Sequence, residues 1–170
     1  LGKLMGCKVI GIAGGPEKSK FVSEELKLDH CIDYKNENVV EKLEEYCPNG
    51  IDVYFENVGG DTTKMISKFL NKNARVPICG FISKYNSANI AGEETPFHVL
   101  GALNPKPKHR FFVVTEWLNQ FEEATSILHE HVKNGDIKFR ETIKPGFENA
   151  PKALRDVLSG RNFGKQLIKI

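Results

Sequence analysis

The sequence has no long hydrophobic run and no marked excess of one charge. Lys and Arg number 24 against 22 Asp and Glu, which gives a formal net charge of +2. Such a balance gives no basis for non-specific attraction to nucleic acid or to a membrane surface. No apolar stretch approaches the ~20 residues of a membrane-spanning helix, and the first residues read as neither a signal nor a transit peptide. We therefore predict a cytoplasmic protein that binds neither nucleic acid nor membranes.

Closely spaced cysteines are also missing. Cys7, Cys31, Cys47 and Cys79 form no C-x-x-C pair, which excludes the usual zinc and thioredoxin spacings. Cys31 and Cys79 lie in apolar runs, so the pattern predicts small core residues and reduced thiols. No H-E-x-x-H or G-x-S-x-G motif occurs. The sequence therefore predicts no metal site and no hydrolase nucleophile.

Strand and helix patterns alternate along the first eighty residues. Short apolar runs, typical of strands covered on both faces, are followed by apolar residues at helical spacing. Strands are predicted at 8–14, 30–34, 51–58 and 75–79, and helices at 16–28, 39–46 and 62–70. Such βαβ units with short connections indicate an α/β fold, a doubly wound parallel sheet of the Rossmann type with helices on both faces.

The rest of the chain is less regular. A polar loop is predicted at 83–108 with one helix inside it, a fifth strand at 109–114 and a long helix at 117–134. That helix should bury one stripe of side chains, namely Phe121, Ala124, Ile127, Leu128 and Val132. Residues 138–170 predict a strand, a helix and a strand. We expect a partial cofactor-binding domain at 1–137 and a returning segment at 138–170.

Glycines follow three of the five predicted strands, at the sheet edge where open α/β sheets bind ligands. The strand ends are Gly14-Gly15, Tyr34-Lys35, Asn57 to Gly60, Cys79-Gly80 and Val113-Val114. A single glycine there often only closes a turn, but three at one edge favour a nucleotide site. The glycine-rich G-x-G-x-x-G fingerprint does not occur.

Two side chains near these strand ends suggest specific chemistry. No carboxylate precedes Glu17 after the first strand, whereas Lys18 follows on the next helix. A lysine there can bind the 2′-phosphate of NADP, although a solvated surface lysine is the alternative. Tyr85 follows the Gly80 strand end, where its hydroxyl can donate a proton or a hydrogen bond. An exposed loop aromatic is the alternative for Tyr85.

Five stretches occur in an order and spacing that match a known family. They are KLMGCKVIGIAGGPEK, GIDVYFENVGG, ICGFISKYN, RFFVV and FENAPKALRDVLSGRNFGKQLIKI. Together they resemble the cofactor-binding half of zinc-independent medium-chain dehydrogenases/reductases. Within these, the chain is most similar to the group of prostaglandin reductases, leukotriene hydroxydehydrogenases and NADP-dependent alkenal and curcumin reductases. Two residues depart from the expected pattern: Glu56 stands where Asp is common, and Pro77 interrupts an interior strand.

The resemblance implies a fragment of a longer enzyme. A GroES-like catalytic domain would precede the sheet, and the final strand would return to it. The first sheet strand and the glycine-rich turn would also lie upstream. An uncovered edge strand at 109–114 further predicts a homodimer.

Carried over by position, the resemblance implies an NADP site. Gly14 would lie in it, Lys18 would bind the 2′-phosphate, Tyr34 would contact the adenosine side and Asn57 would lie near the ribose and phosphates. The residues that would wrap the nicotinamide half are Cys79, Gly80, Phe81, Ile82, Ser83 and Tyr85. Phe112, Val113 and Val114 would form the wall beside the nicotinamide. Asn162 would close over the cofactor.

The implied activity is NADPH-dependent reduction of the activated C=C bond of an enone or enal. Hydride would pass to the β-carbon, and Tyr85 would stabilise the enolate oxygen. A quinone reductase on the same scaffold and a non-catalytic nucleotide-binding module remain open. A methyltransferase-like domain fits the later strands poorly.

Overall fold

The computed structural model describes residues 1–170, apart from the side chain of Ile90. In chain order its main elements are β1 (Ile10–Ala13), α1 (Pro16–Lys20), β2 (His30–Asp33), α2 (Val39–Tyr46), β3 (Ile51–Val53), α3 (Gly60–Ser67), β4 (Leu70–Ile78), α4 (Pro96–Gly101), β5 (Lys108–Phe111), α5 (Phe121–Lys133), β6 (Glu141–Pro145), α6 (Ala150–Leu158) and β7 (Lys165–Lys169). All the strand pairs within named strands are parallel. The predicted α/β fold is confirmed. Among the described residues, no helix combines the length and apolar character needed to cross a membrane.

The chain forms two compact units. Unit 1 comprises Leu1–Glu37 and Asn119–Ile170, and unit 2 comprises Asn38–Leu118. Within unit 1, β1 pairs with β2 and β6 pairs with β7. Within unit 2, the sheet order is β3-β4-β5.

The first helix of unit 1 is shorter than predicted. Its α-helical part ends at Lys20, and residues Phe21–Glu25 form a π-helical turn. The Ser23 hydroxyl donates to the Ser19 carbonyl at 2.9 Å, so a side chain competes for the acceptor that an α-helical amide would use. Lys27 then takes a positive φ of 55°, which ends the segment before the predicted residue 28.

The predicted buried stripe of α5 is wrong. Phe121 is 57% exposed, Ile127 47% and Leu128 43%, and no α5 residue is buried. The hydrophobic spacing correctly predicts a helix with an apolar face, because that spacing depends on local sequence alone. Burial also needs a covering element, and the described residues supply none for this face.

Unit 2 is built around β4. Val76 and Ile78 of β4 pack with Leu100 of α4, and all three are at most 1% exposed. Tyr54, Leu70 and Leu103 pack against this cluster. The Asn38 side chain caps α2 by accepting from the amides of Val40 and Glu41. A buried central strand and a covering helix thus hold the carboxyl end of β4 in place.

The third strand ends earlier than the predicted 51–58. In a parallel strand the N–H and C=O of one residue face the same neighbour. The Pro77 carbonyl accepts from the Glu56 amide at 3.0 Å, so the nitrogen of Pro77 also faces this segment. Proline has no N–H to donate there, and the ladder loses one bond. Beyond Val53, only an isolated bridge between Glu56 and Ile78 continues the pairing.

The cysteine prediction is partly wrong. Cys79 is exposed and Cys31 is half-buried, and among the described residues no disulfide joins any two of the four cysteines. Cys79 follows the last residue of β4, so it lies on the rim of the sheet rather than within it. Burial raises the pKa of the Cys31 thiol, as expected for a partly apolar setting.

Candidate functional site

The carboxyl end of β1–β2 in unit 1 is organised by Asp33. Its Oδ1 accepts from the Gly15 amide at 2.7 Å and from the Lys35 amide at 3.1 Å. Its Oδ2 accepts from the Asn36 side chain at 2.7 Å. The hydrogen bond from Asn36, followed by that from Gly15, lowers the pKa of Asp33. Asp33 therefore fastens the turn after β1 to the turn after β2.

Gly14 and Tyr34, both predicted cofactor residues, lie against each other in unit 1. A Cβ added to Gly14 would lie 2.8 Å from Cε1 of Tyr34 and 2.9 Å from Cε of Lys35. These distances are well below ordinary carbon–carbon contact, so a larger residue at position 14 would displace the Tyr34 ring and the Lys35 side chain. Tyr34 itself is 52% exposed, which leaves much of its ring open to a ligand.

Lys18 links α1 to the turn that carries Asn162. Its ammonium donates to the Gly160 carbonyl at 2.6 Å. The Asn162 side chain donates to the Gly164 carbonyl at 2.7 Å, within the same turn. Nearby, Phe21 packs edge-on against Phe163 with ring centres 5.2 Å apart. Two residues predicted on separate grounds, Lys18 and Asn162, thus belong to one local structure.

In unit 2, Glu56 organises the turn after β3. Its side chain is fully buried. Oε1 accepts from the amides of Val58 at 2.7 Å and Gly59 at 2.9 Å, and Oε2 accepts from the Thr63 hydroxyl. Burial, followed by the negative charge of Glu56, raises the pKa of Tyr54. The carboxylate replaces solvent for the first amides before α3.

The turns after β3 and β4 are joined by backbone hydrogen bonds. The Ile82 amide donates to the Asn57 carbonyl at 3.1 Å, and the Ser83 amide donates to the Val58 carbonyl at 2.9 Å. The Cys79 amide donates to the Glu56 carbonyl at 2.8 Å. In unit 2, these hydrogen bonds therefore join residues 56–59 and 79–83 into one rim at the carboxyl end of the sheet.

Asn57 and Tyr85 converge over Gly80 on this rim. A Cβ added to Gly80 would lie 2.5 Å from the Tyr85 hydroxyl oxygen and 2.9 Å from Oδ1 of Asn57. The Tyr85 hydroxyl accepts from the Phe81 amide at 3.2 Å, and the two rings pack edge-on at 5.5 Å. Tyr85 is 48% exposed. Only glycine at position 80 lets two polar groups approach the backbone so closely.

The segment after β5 carries the last predicted residues of unit 2. The Phe112 amide donates to the Ile78 carbonyl at 3.2 Å, which ties this segment to the end of β4. The Phe112 ring packs edge-on against Trp117 with centres 5.7 Å apart. Glu116 accepts from the Val113 amide at 2.9 Å. Val113 and Val114 remain exposed.

Two residues that the sequence analysis missed organise these rims. Asp33 was not singled out at all, and Glu56 was noted only as a departure from the resembled pattern. A signal for Asp33 exists, since Asp at a strand end is typical of an Asx turn, in which its side chain accepts from the amide two residues on, here that of Lys35. The described residues contain no group of three or more His, Cys, Asp or Glu placed to hold a metal ion.

We expect Asp33→Asn to change how stability depends on pH. The carboxylate stabilises the fold above its unfolded pKa of about 3.9, and that contribution is lost as pH falls through the lower folded pKa. The variant should therefore be less stable than wild type at pH 7, and the gap should narrow below about pH 4. Urea unfolding across pH measures this. A gap of constant size would contradict the role of the charge.

Comparison with known proteins identifies the family. Residues 1–126 match the model of the family described as zinc-binding dehydrogenase. The chain is 39% identical over its whole length to the putative NADP-dependent oxidoreductase YfmJ of Bacillus subtilis, and 37% identical to the NADPH-dependent curcumin reductase of Escherichia coli. It spans 50% of each relative.

A solved structure agrees with these sequence matches. CurA from Vibrio vulnificus, in complex with NADPH, is 40% identical and superposes with a TM-score of 0.89, over 99% of this chain and 51% of that one. The chain therefore spans about half the length of the relatives that it matches. The resemblance inferred from the five sequence stretches is confirmed, and the chain belongs to the zinc-binding dehydrogenase family, as the cofactor-binding half of a medium-chain dehydrogenase/reductase.

Proposed function

We propose that the full-length protein is an NADPH-dependent reductase of the activated C=C bond of enones or enals. The proposal depends on one observation: the side-chain carboxamide of Asn57 and the Tyr85 hydroxyl both lie against Gly80 at the carboxyl end of β4. In a parallel sheet this is the edge where ligands bind. The similarity to a curcumin reductase, whose name denotes NADPH dependence, supports the same reaction class.

The proposed cofactor is NADP rather than NAD. A carboxylate that selects NAD must accept from a ribose hydroxyl. Three of the about four lone-pair sites of the Asp33 carboxylate already accept from the protein's own donors. The Lys18 ammonium gives one hydrogen to Gly160 and keeps two for a phosphate. Gly14 and the open face of Tyr34 leave room for an adenosine beside them.

The proposed chemistry needs one negative charge to be stabilised. NADPH supplies the hydride when it is bound, and the substrate's β-carbon receives it. Negative charge then develops on the substrate's carbonyl oxygen. The Tyr85 oxygen accepts from the Phe81 amide, so its own proton stays available to that oxygen. The hydrogen bond from the Phe81 amide also orients the Tyr85 side chain before the substrate binds.

The remaining rim residues form the proposed surroundings of the nicotinamide. Cys79, Phe81, Ile82 and Ser83 follow β4, and Phe112, Val113 and Val114 follow β5. Apart from Ser83, their side chains would exclude water from the reacting atoms, which strengthens the hydrogen bond to the enolate oxygen. Asn162 stays a proposed cofactor contact in unit 1.

The domain and assembly predictions stay proposals. We propose that residues 138–170 return toward a catalytic domain outside this chain. The outer edge of β5 pairs with no other strand among the described residues, and Phe111 is exposed. We propose that this edge forms the contact of a homodimer.

The proposed reaction is tested by assaying the full-length protein with NADPH against an enone and a quinone. We expect NADPH oxidation with the enone and little with the quinone. Faster turnover of the quinone would favour a quinone reductase on this scaffold. Binding of NADPH without reduction of either substrate would favour a non-catalytic nucleotide-binding module.

Replacing Lys18 should change cofactor preference. In the full-length protein, Lys18→Ala should weaken NADPH binding by about 1–3 kcal/mol, the scale of a hydrogen bond to a charged group. NADH binding should change little, because NADH has no 2′-phosphate for Lys18 to bind. Lys20→Ala, on the exposed side of the same helix, is the matched control. Equal losses for the two cofactors in titration calorimetry would rule out the phosphate role.

Replacing Tyr85 should affect turnover more than cofactor affinity. Tyr85→Phe keeps the ring that packs on Phe81 and removes only the hydroxyl. We expect kcat to fall by about 100-fold, the usual loss for one donor to a developing oxyanion, with a small change in the NADPH dissociation constant. Steady-state kinetics and NADPH titration separate the two. An unchanged kcat would leave Tyr85 with a packing role only.

A further inference from the structure

The N-terminus of α3 faces a carboxylate from its own chain. Helix N-termini present free amides that attract anions. Here the amides of Val58 and Gly59, just before α3, donate to Oε1 of Glu56 at 2.7 and 2.9 Å. The Glu56 carboxylate therefore binds the two residues that lead into the helix.

Glu56 has no contact with solvent, so its charge depends entirely on protein donors. Its exposed fraction is 0%. Besides the two amides, the Thr63 hydroxyl donates to Oε2. A buried carboxylate is tolerated only when several donors satisfy it. These three donors lie before and within α3, so the carboxylate fixes the turn to the helix.

The main chain of Glu56 is held as firmly as its side chain. Its amide donates to the Pro77 carbonyl at 3.0 Å, and its carbonyl accepts from the Cys79 amide at 2.8 Å. One residue thus joins the end of β4 to the turn that precedes α3. Side chain and main chain together leave this turn little freedom.

Asn57 is the residue that this arrangement orients. The amides of Val58 and Gly59, which follow it, donate to the Glu56 carboxylate. The Asn57 carbonyl itself accepts from the Ile82 amide. With the backbone held on both sides, its side chain lies beside Gly80 and the Tyr85 hydroxyl. A shift of about 1 Å in such a group can cost about 100-fold in rate.

We propose that Glu56 is a positioning residue that holds the side-chain carboxamide of Asn57 in the cluster with Gly80 and Tyr85. The reaction that Glu56 would assist is the one given by the proposed function, on which this inference rests. The hydrogen bonds and distances that position Asn57 do not depend on that function. Glu56 touches neither substrate nor cofactor; it acts through Asn57.

A double-mutant cycle in the full-length protein tests this role. The variants are Glu56→Gln, Asn57→Ala and the two together, and the measurements are kcat and KM for an enone at saturating NADPH. Gln keeps the length but replaces charged hydrogen bonds by neutral ones, which are about half as strong. We expect each single variant to lower kcat by about 10-fold and the double variant to lower it no further. An additive loss of about 100-fold in the double variant would overturn the proposal.

Rescue and control variants separate positioning from general stability. Glu56→Asp should keep kcat within about threefold, because an Asp carboxylate still accepts from the amide two residues on. A loss equal to that of Glu56→Gln would count against the proposal. Glu94→Gln removes a carboxylate that pairs with Lys64 of α3 at 2.6 Å, and it should leave kcat unchanged. A fall with Glu94→Gln would assign the effect to α3 stability.

A replacement variant and a second measured quantity ensure that the double-mutant cycle tests the role of Glu56 in every case. If Glu56→Gln does not fold, Thr63→Val takes its place in the cycle, because it releases one carboxylate oxygen and keeps the charge. A wild-type protein that binds NADPH but reduces no enone would overturn the proposed function alone. The same cycle on the NADPH dissociation constant then decides the role of Glu56: non-additive losses support it and additive losses overturn it.

Discussion

The turns at the strand ends of both units are held by buried carboxylates. Asp33 fastens the turn after β1 to the turn after β2, and Glu56 fastens the turn after β3 to the end of β4. Loops that bind ligands need defined positions, yet strand ends leave amides without partners. In this chain, carboxylates supply those partners. The placement of the proposed cofactor residues in each unit depends on them.

Much of the fold could be predicted because it depends on local patterns. The alternation of apolar runs and helical spacing gave the order of strands and helices. What failed needed information from elsewhere in the chain. The third strand is shortened by Pro77, which lies on a neighbouring strand about twenty residues away. The stripe of α5 is regular, but its exposure depends on a covering element rather than on its own spacing.

The residues of the candidate site also divide into those that local sequence predicts and those whose role depends on the folded chain. Lys18, Asn57 and Tyr85 were predicted because they follow strand ends, and position relative to a strand can be inferred from sequence. Glu56 was harder to interpret, since its role depends on burial and on three donors that only the folded chain brings together. Asn162 came from the resemblance alone. The turn that carries Asn162 is joined to α1 through Lys18, by a contact between residues far apart in sequence.

The hydrogen bond between Lys18 and Gly160 bears on attempts to change the proposed cofactor preference to NADH. The usual strategy exchanges the basic residue for an acidic one that can accept from the ribose. In this chain a carboxylate at position 18 would face the Gly160 carbonyl, an acceptor, and the two would repel each other. The exchange would loosen the turn that carries Asn162 as well as remove the proposed phosphate contact. A workable redesign needs a compensating donor for that carbonyl from another side chain.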